Sequence, residues 1–172
     1  MASLMENLIE VLCRESDEYE GLLKLSQKKT QIIAGADLEE LQKITDDEQK
    51  LVDRLGHLEK KRVEVTKDIA NVLNRDVEEM KLSSLIEMLS GRPAEQAKLA
   101  EAHDRLQSAV QNLKRVNEQN RELLEEALEM VAFEMNLLQA SKVAPETANY
   151  TKNAYNSGAQ MGVNSGVFDA KQ

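Results

Sequence analysis

Residues 41–73 read LQKITDDEQKLVDRLGHLEKKRVEVTKDIANVL. Alternate steps of three and four from Leu41 reach Ile44, Glu48, Leu51, Leu55, Leu58, Arg62, Val65, Ile69 and Val72, apolar at eight of the ten positions. That spacing lays one apolar seam along a helix and leaves its other faces charged. At a rise of 1.5 Å per residue such a helix is about 50 Å long, so its side chains cannot share one globular core. It needs a partner running alongside, as in a two-helix coiled coil or the edge of an extended bundle.

The preceding residues supply that partner. Ser3 and Glu6 have capping-box spacing and open a first helix running to Ile33, with a seam of Met5, Leu8, Leu12, Glu15, Tyr19, Leu22, Ser26, Lys29 and Ile33 that weakens in its middle. Gly35 is expected to take the left-handed conformation that stops this helix, and Asp37 with Glu40 repeats the capping spacing. So short a link makes the first two helices an antiparallel hairpin. Gly56, inside the second arm, marks either a close helix approach or a bend.

Beyond the hairpin, Asn74-Arg75-Asp76 reads as a break, and Ser84 with Glu87 as the cap of a short helix near 85–90. Pro93 suits the first turn of a third long helix over about 94–141. Its seam is Leu99, Ala102, Leu106, Ala109, Leu113, Val116, Asn120, Leu123, Ala127, Met130, Glu134 and Leu137. In its second half Leu123, Leu124, Leu128, Met130, Val131, Phe133, Met135 and Leu138 spread over more than one face, so one partner helix cannot cover them. They are either the core of a three-helix bundle or a partner-binding surface. Met130 and Met135 suit the latter, since unbranched thioethers repack against varied surfaces.

After Ala144-Pro145, Thr, Asn, Ser, Gly and Ala dominate and the apolar period disappears. The expected architecture is all-α: an elongated antiparallel helical hairpin or coiled coil, a short connecting helix and a third long helix over 1–144, then a flexible C-terminal tail over 145–172. Tyr150, Tyr155, Val167 and Phe168, beside Asp169, are large apolar groups in that polar tail, a pattern typical of short docking motifs.

Composition excludes several functions. The 172 residues carry a net charge of −9, 31% charged and 3% aromatic side chains, no Trp, two Pro and seven Gly. With a pI near 4.9, such a chain opposes a phosphate backbone, so nucleic acid is not an expected partner. No run of 18 apolar residues and no basic leader occurs, so no membrane insertion and a cytoplasmic location are expected. The lone Cys13 fits a reducing compartment. His57 and His103 have no Glu three residues earlier and no zinc spacing, the carboxylates alternate with Lys and Arg, and no glycine-rich phosphate loop occurs. Neither an enzyme, a metal site nor a cofactor is expected.

Two segments carry a family resemblance. Asn117-Glu118-Gln119-Asn120-Arg121-Glu122-Leu123-Leu124 follows an apolar heptad as Asn-x-x-Asn-x-x-Leu-Leu, and Tyr155-Asn156-Ser157-Gly158-Ala159-Gln160 opens as Tyr-x-x-Gly. Together with the helix order, length and acidity, they resemble the FlgN family of flagellar export chaperones. The resemblance implies binding of the hook–filament junction proteins FlgK and FlgL in the cytosol and delivery to the type III export gate component FlhA. For that job the apolar excess of the third helix, Leu123, Leu124, Leu128, Met130, Val131, Phe133, Met135 and Leu138, is the expected client-binding surface, and Tyr155, then Tyr150, the expected gate-docking residues. Asn117 and Asn120, three apart on a helix, suit hydrogen bonds across a helix interface that fix its register. The alternative is a structural coiled coil that self-associates as a scaffold or tether. Glu15, Glu48, Arg62 and Glu134 interrupt the seams and argue against a long uniform homo-coil, although a homo-oligomer is compatible with the same apolar excess.

Overall fold

The structure, a computed structural model, describes residues 3–143. It contains α1 (Leu4–Ala34), α2 (Leu38–Leu73), a 3₁₀ turn at Val77–Glu79, α3 (Leu82–Met88), a second 3₁₀ turn at Leu89–Gly91, and α4 (Pro93–Val143). By contacts the chain divides after Glu125 into two units, Met1–Glu125 and Glu126–Gln172.

In the first unit, α1 begins on a complete capping box. The Glu6 N–H donates to Ser3 Oγ at 3.1 Å, and the Ser3 N–H donates to Glu6 Oε2 at 2.9 Å. Its end differs from the expectation. Gly35 stays right-handed at φ −81°, and Ala36 takes the left-handed turn at φ 52°. The Ala36 and Asp37 N–H groups reach back to the carbonyls of Ile33 and Ile32, so the helix closes on a Schellman motif one residue later than the glycine suggests. Two spare carbonyls are satisfied at the cost of about 1 kcal/mol for a Cβ in that region. Asp37 accepts from the Glu40 N–H at 3.0 Å and starts α2. At the far end of α2, Asn74 makes the same left-handed closure, a conformation asparagine tolerates.

The connecting helix also starts earlier than its spacing predicts. Its N-cap is Lys81, which makes no side-chain cap, and Ser84 and Glu87 lie inside the helix. The short piece is held by burial, with Leu85 1% exposed among Leu8, Leu12, Ile69, Met80 and Leu99. Pro93 is the first residue of α4, where its missing N–H costs nothing.

Hydrogen bonds and ion pairs give the directions. Glu15 of α1 meets Arg62 of α2 and Lys29 meets Glu48, so α1 and α2 are antiparallel. Asp17 and Glu20 meet Arg105, and Ser26 meets Asn117, so α1 and α4 are parallel. Two apolar clusters lie in the first unit. The larger joins the start of α1, the end of α2, α3 and the start of α4 through Leu8, Leu12, Val65, Ile69, Leu85, Leu99 and Ala102. The smaller joins Leu22, Leu55 and Leu113. Each fully buried leucine contributes roughly 1.5–3 kcal/mol.

Gly56 has open space where a Cβ would stand, so it marks no close approach. The close approach is at Gly21, where a Cβ would come within 2.8 Å of Leu51 Cδ2.

Candidate functional site

The weak middle of the α1 seam is a polar layer. Ser26 is 1% exposed, and its hydroxyl donates to Asn117 Oδ1 at 2.9 Å. Asn120, 4% exposed, donates from Nδ2 to the Ser26 carbonyl at 2.8 Å and accepts from the Thr30 hydroxyl. The two asparagines thus bond across the α1–α4 interface, Asn120 buried and Asn117 at its exposed edge. Lys29 donates to Glu48 at 2.7 Å beside them. A satisfied buried polar layer disfavours sliding, because any shift leaves donors and acceptors unpaired.

Back along α1, beyond Leu22 and Tyr19, the other seam charges of the hairpin pair with each other. Arg62 Nε donates to Glu15 Oε1 at 3.0 Å, with Glu59 a further 3.8 Å partner for the guanidinium. Glu15 is 2% exposed and its Oε2 makes no hydrogen bond. Burial pushes its carboxyl above the ordinary carboxylate range, outweighing the attraction of Arg62. On the exposed side Arg105 forms a fork onto Glu20, at 2.8 Å from both Nε and Nη2, and also reaches Asp17. That arginine holds the Glu20 carboxyl below its usual range. The partners of the Asn pair, Ser26 and Thr30, are not singled out by sequence reasoning, although a serine at a seam position is the signal that marks them.

The α4 seam is buried through Leu99, Ala102, Ala109, Leu113, Val116 and Asn120. Leu123 and Leu124 are half-buried, and every described residue from Glu125 to Lys142 is exposed. Among the described residues the apolar excess of the third helix is therefore not a bundle core: Leu128 is 68% exposed, Met130 65% and Phe133 63%, and Val131, Met135, Leu137 and Leu138 are all more than half exposed. At 100° per residue, Leu128, Val131, Met135 and Leu138 form one stripe, and Met130, Phe133 and Leu137 form another about 150° away. Tyr150 and Tyr155 lie outside the described residues, as do Val167, Phe168 and Asp169.

His57 is exposed and His103 half-buried, with its Nδ1 3.1 Å from Asp104. Cys13 packs, partly buried, against the larger cluster. Among the described residues no group of three or more His, Cys, Asp or Glu is placed to hold a metal, and no helix is long and apolar enough to cross a membrane.

The described residues thus combine a body locked by a buried polar layer with a helix end that carries exposed apolar side chains. Residues 1–158 match the family described as FlgN protein, so the chain belongs to the FlgN family of flagellar export chaperones, which is not an enzyme family. The match includes the Asn117–Leu124 segment, Tyr150 and Tyr155. The chain is also similar to the uncharacterized protein YvyG of Bacillus subtilis (strain 168), at 29% identity over 145 residues covering 84% of this chain and 85% of that protein. No solved structure matches significantly.

Proposed function

We propose that this chain binds the hook–filament junction proteins FlgK and FlgL in the cytoplasm, prevents their premature assembly and delivers them to FlhA at the export gate. The observation that carries this reading is the run of exposed residues from Glu125 to Lys142, with seven large apolar side chains and no described cover. A helix with that much bare apolar area suits an amphipathic client helix. Leu123 and Leu124 border the client site, and Leu128, Met130, Val131, Phe133, Met135 and Leu138 form it. In this reading residues 1–144 act as the chaperone body and 145–172 as the docking tail, with Tyr155 first and Tyr150 second in contact with the gate. An aromatic ring bearing a hydroxyl fills a pocket while keeping its polar end paired.

Leu128→Asp or Val131→Asp should weaken binding of purified FlgK at least tenfold, the equivalent of about 1.4 kcal/mol, with helicity retained. Tyr155→Ala should leave client affinity intact while lowering capture by the cytoplasmic domain of FlhA. Unchanged client affinity in both helix variants, measured by calorimetry, rejects this face as the site.

A further inference from the structure

The second unit's helix carries two apolar stripes rather than one. Resting on the client-binding reading above, we propose that this helix is clasped between two amphipathic client helices, one on each stripe, both bearing Lys or Arg at the edges of their apolar faces.

The argument begins with geometry. Leu128, Val131, Met135 and Leu138 span an arc of about 80°, and Met130, Phe133 and Leu137 an arc of about 60°, with centres about 150° apart around a helix of 3.6 residues per turn. A single helix packed against the first arc sits some 8–10 Å from the axis on that side and leaves the second in water. In sequence, the three-and-four spacing of the α4 seam runs on through Ala127, Met130, Glu134 and Leu137, so the second stripe takes two of its members from the spacing that in the first unit is covered by other helices. The first stripe, each of its members one residue beyond that spacing, has no counterpart in it, and both stripes are exposed, Leu128 at 68% and Met130 at 65%.

Charge selects the occupant. Between Arg121 and Lys142 stand Glu122, Glu125, Glu126, Glu129 and Glu134, with no Lys or Arg among them. By the same 100° step Glu125 and Glu129 fall along one edge between the stripes and Glu134 along the other, while Glu126 lies on the line of the second stripe, one turn before Met130. The same segment of a second copy laid on either stripe brings glutamates against glutamates, which disfavours pairing. A client helix with basic flanks satisfies both edges at once, and two such helices cover both stripes.

The test uses the full chain with purified FlgK. Val131→Gln/Leu138→Gln removes the first stripe and Phe133→Gln/Leu137→Gln the second, glutamine being neutral and favourable in helices. A loss of at least tenfold in affinity from each pair supports the clasp. Loss from one pair alone overturns it while leaving this helix as the client site. Loss from neither overturns the client-site reading as well. To guard against local unfolding, Val131→Cys and Phe133→Cys are each made with Cys13→Ser and crosslinked to FlgK. Attachment to two different helical segments of one FlgK molecule supports the proposal, whereas attachment of both to one segment, or of either to a second copy of the chaperone, overturns it.

Discussion

Glu15 shows how a residue that spoils a sequence pattern acquires a purpose in the fold. Its burial penalises the carboxylate more than Arg62 relieves it, so the folded chain holds a proton there more readily than the unfolded chain does. The sign follows from linkage. A raised carboxyl contributes stability that is present below its ordinary value of 4.5 and is lost as pH rises through the folded value. Glu15→Gln, which mimics the protonated form, should therefore abolish this part of the pH dependence. In urea unfolding at pH 4.5 and 7.5, the wild-type chain should lose stability relative to the variant on going to the higher pH. A relative gain would mean that the Arg62 pairing outweighs the desolvation. As sequence, Glu15 and Arg62 are only gaps in two seams. That the gaps face each other depends on which residue of α1 meets which of α2, and a single helix's periodicity carries no such information.

The helices illustrate what periodicity does carry. The hairpin, the short connector, the Pro93 start and the long third helix are legible because capping residues and apolar spacing act within one or two turns. The glycines are less legible, since a glycine's role depends on what stands across from it. Gly56 faces open space, so Gly56→Ala should stabilise the chain by up to about 1 kcal/mol through helix propensity alone. Gly21→Ala gains the same propensity but must displace Leu51, which packs against the Leu22–Leu55–Leu113 cluster, so it should stabilise less or destabilise. Thermal melts of the two variants settle the order, and equal gains would show that Leu51 moves without cost. The turn after α1 was legible in position but one residue off in detail, because Ala36 accepts a left-handed conformation for which Gly35 is the better residue.

At the scale of the whole molecule, a buried seam and a bare stripe occur on one helix, and sequence spacing cannot separate them because both repeat every three and four residues. The difference is the length of the neighbours. Asp17 meets Arg105, Ser26 meets Asn117 and Thr30 meets Asn120, an offset of about 90 residues, so α1 ends level with residue 124, one short of the end of the first unit. The eighteen residues from 126 to 143 are little longer than the roughly 12–15 at which an isolated helix is marginal in water, and amphipathic packing supplies most helical stability in proteins. Amide hydrogen exchange should therefore be fast over 126–142 and slow over 99–120 in the free chain, with the first segment slowing once FlgK is bound. Equal protection of the two segments in the free chain would show that 126–142 is covered by something already present.

Of the three inter-helix ion pairs of the hairpin, the two on its seam, Glu15–Arg62 and Lys29–Glu48, have opposite polarity. From Glu15 to Lys29 is fourteen residues forward along α1, and from Arg62 to Glu48 is fourteen back along α2. Slippage by one heptad sets Glu15, Lys29 and Arg62 against leucine or isoleucine, and slippage by two sets Glu15 against Glu48 or Lys29 against Arg62. The hairpin therefore contains its own checksum. A repetitive leucine pattern tolerates many alignments, but of the heptad shifts these four letters pair opposite charges in only one.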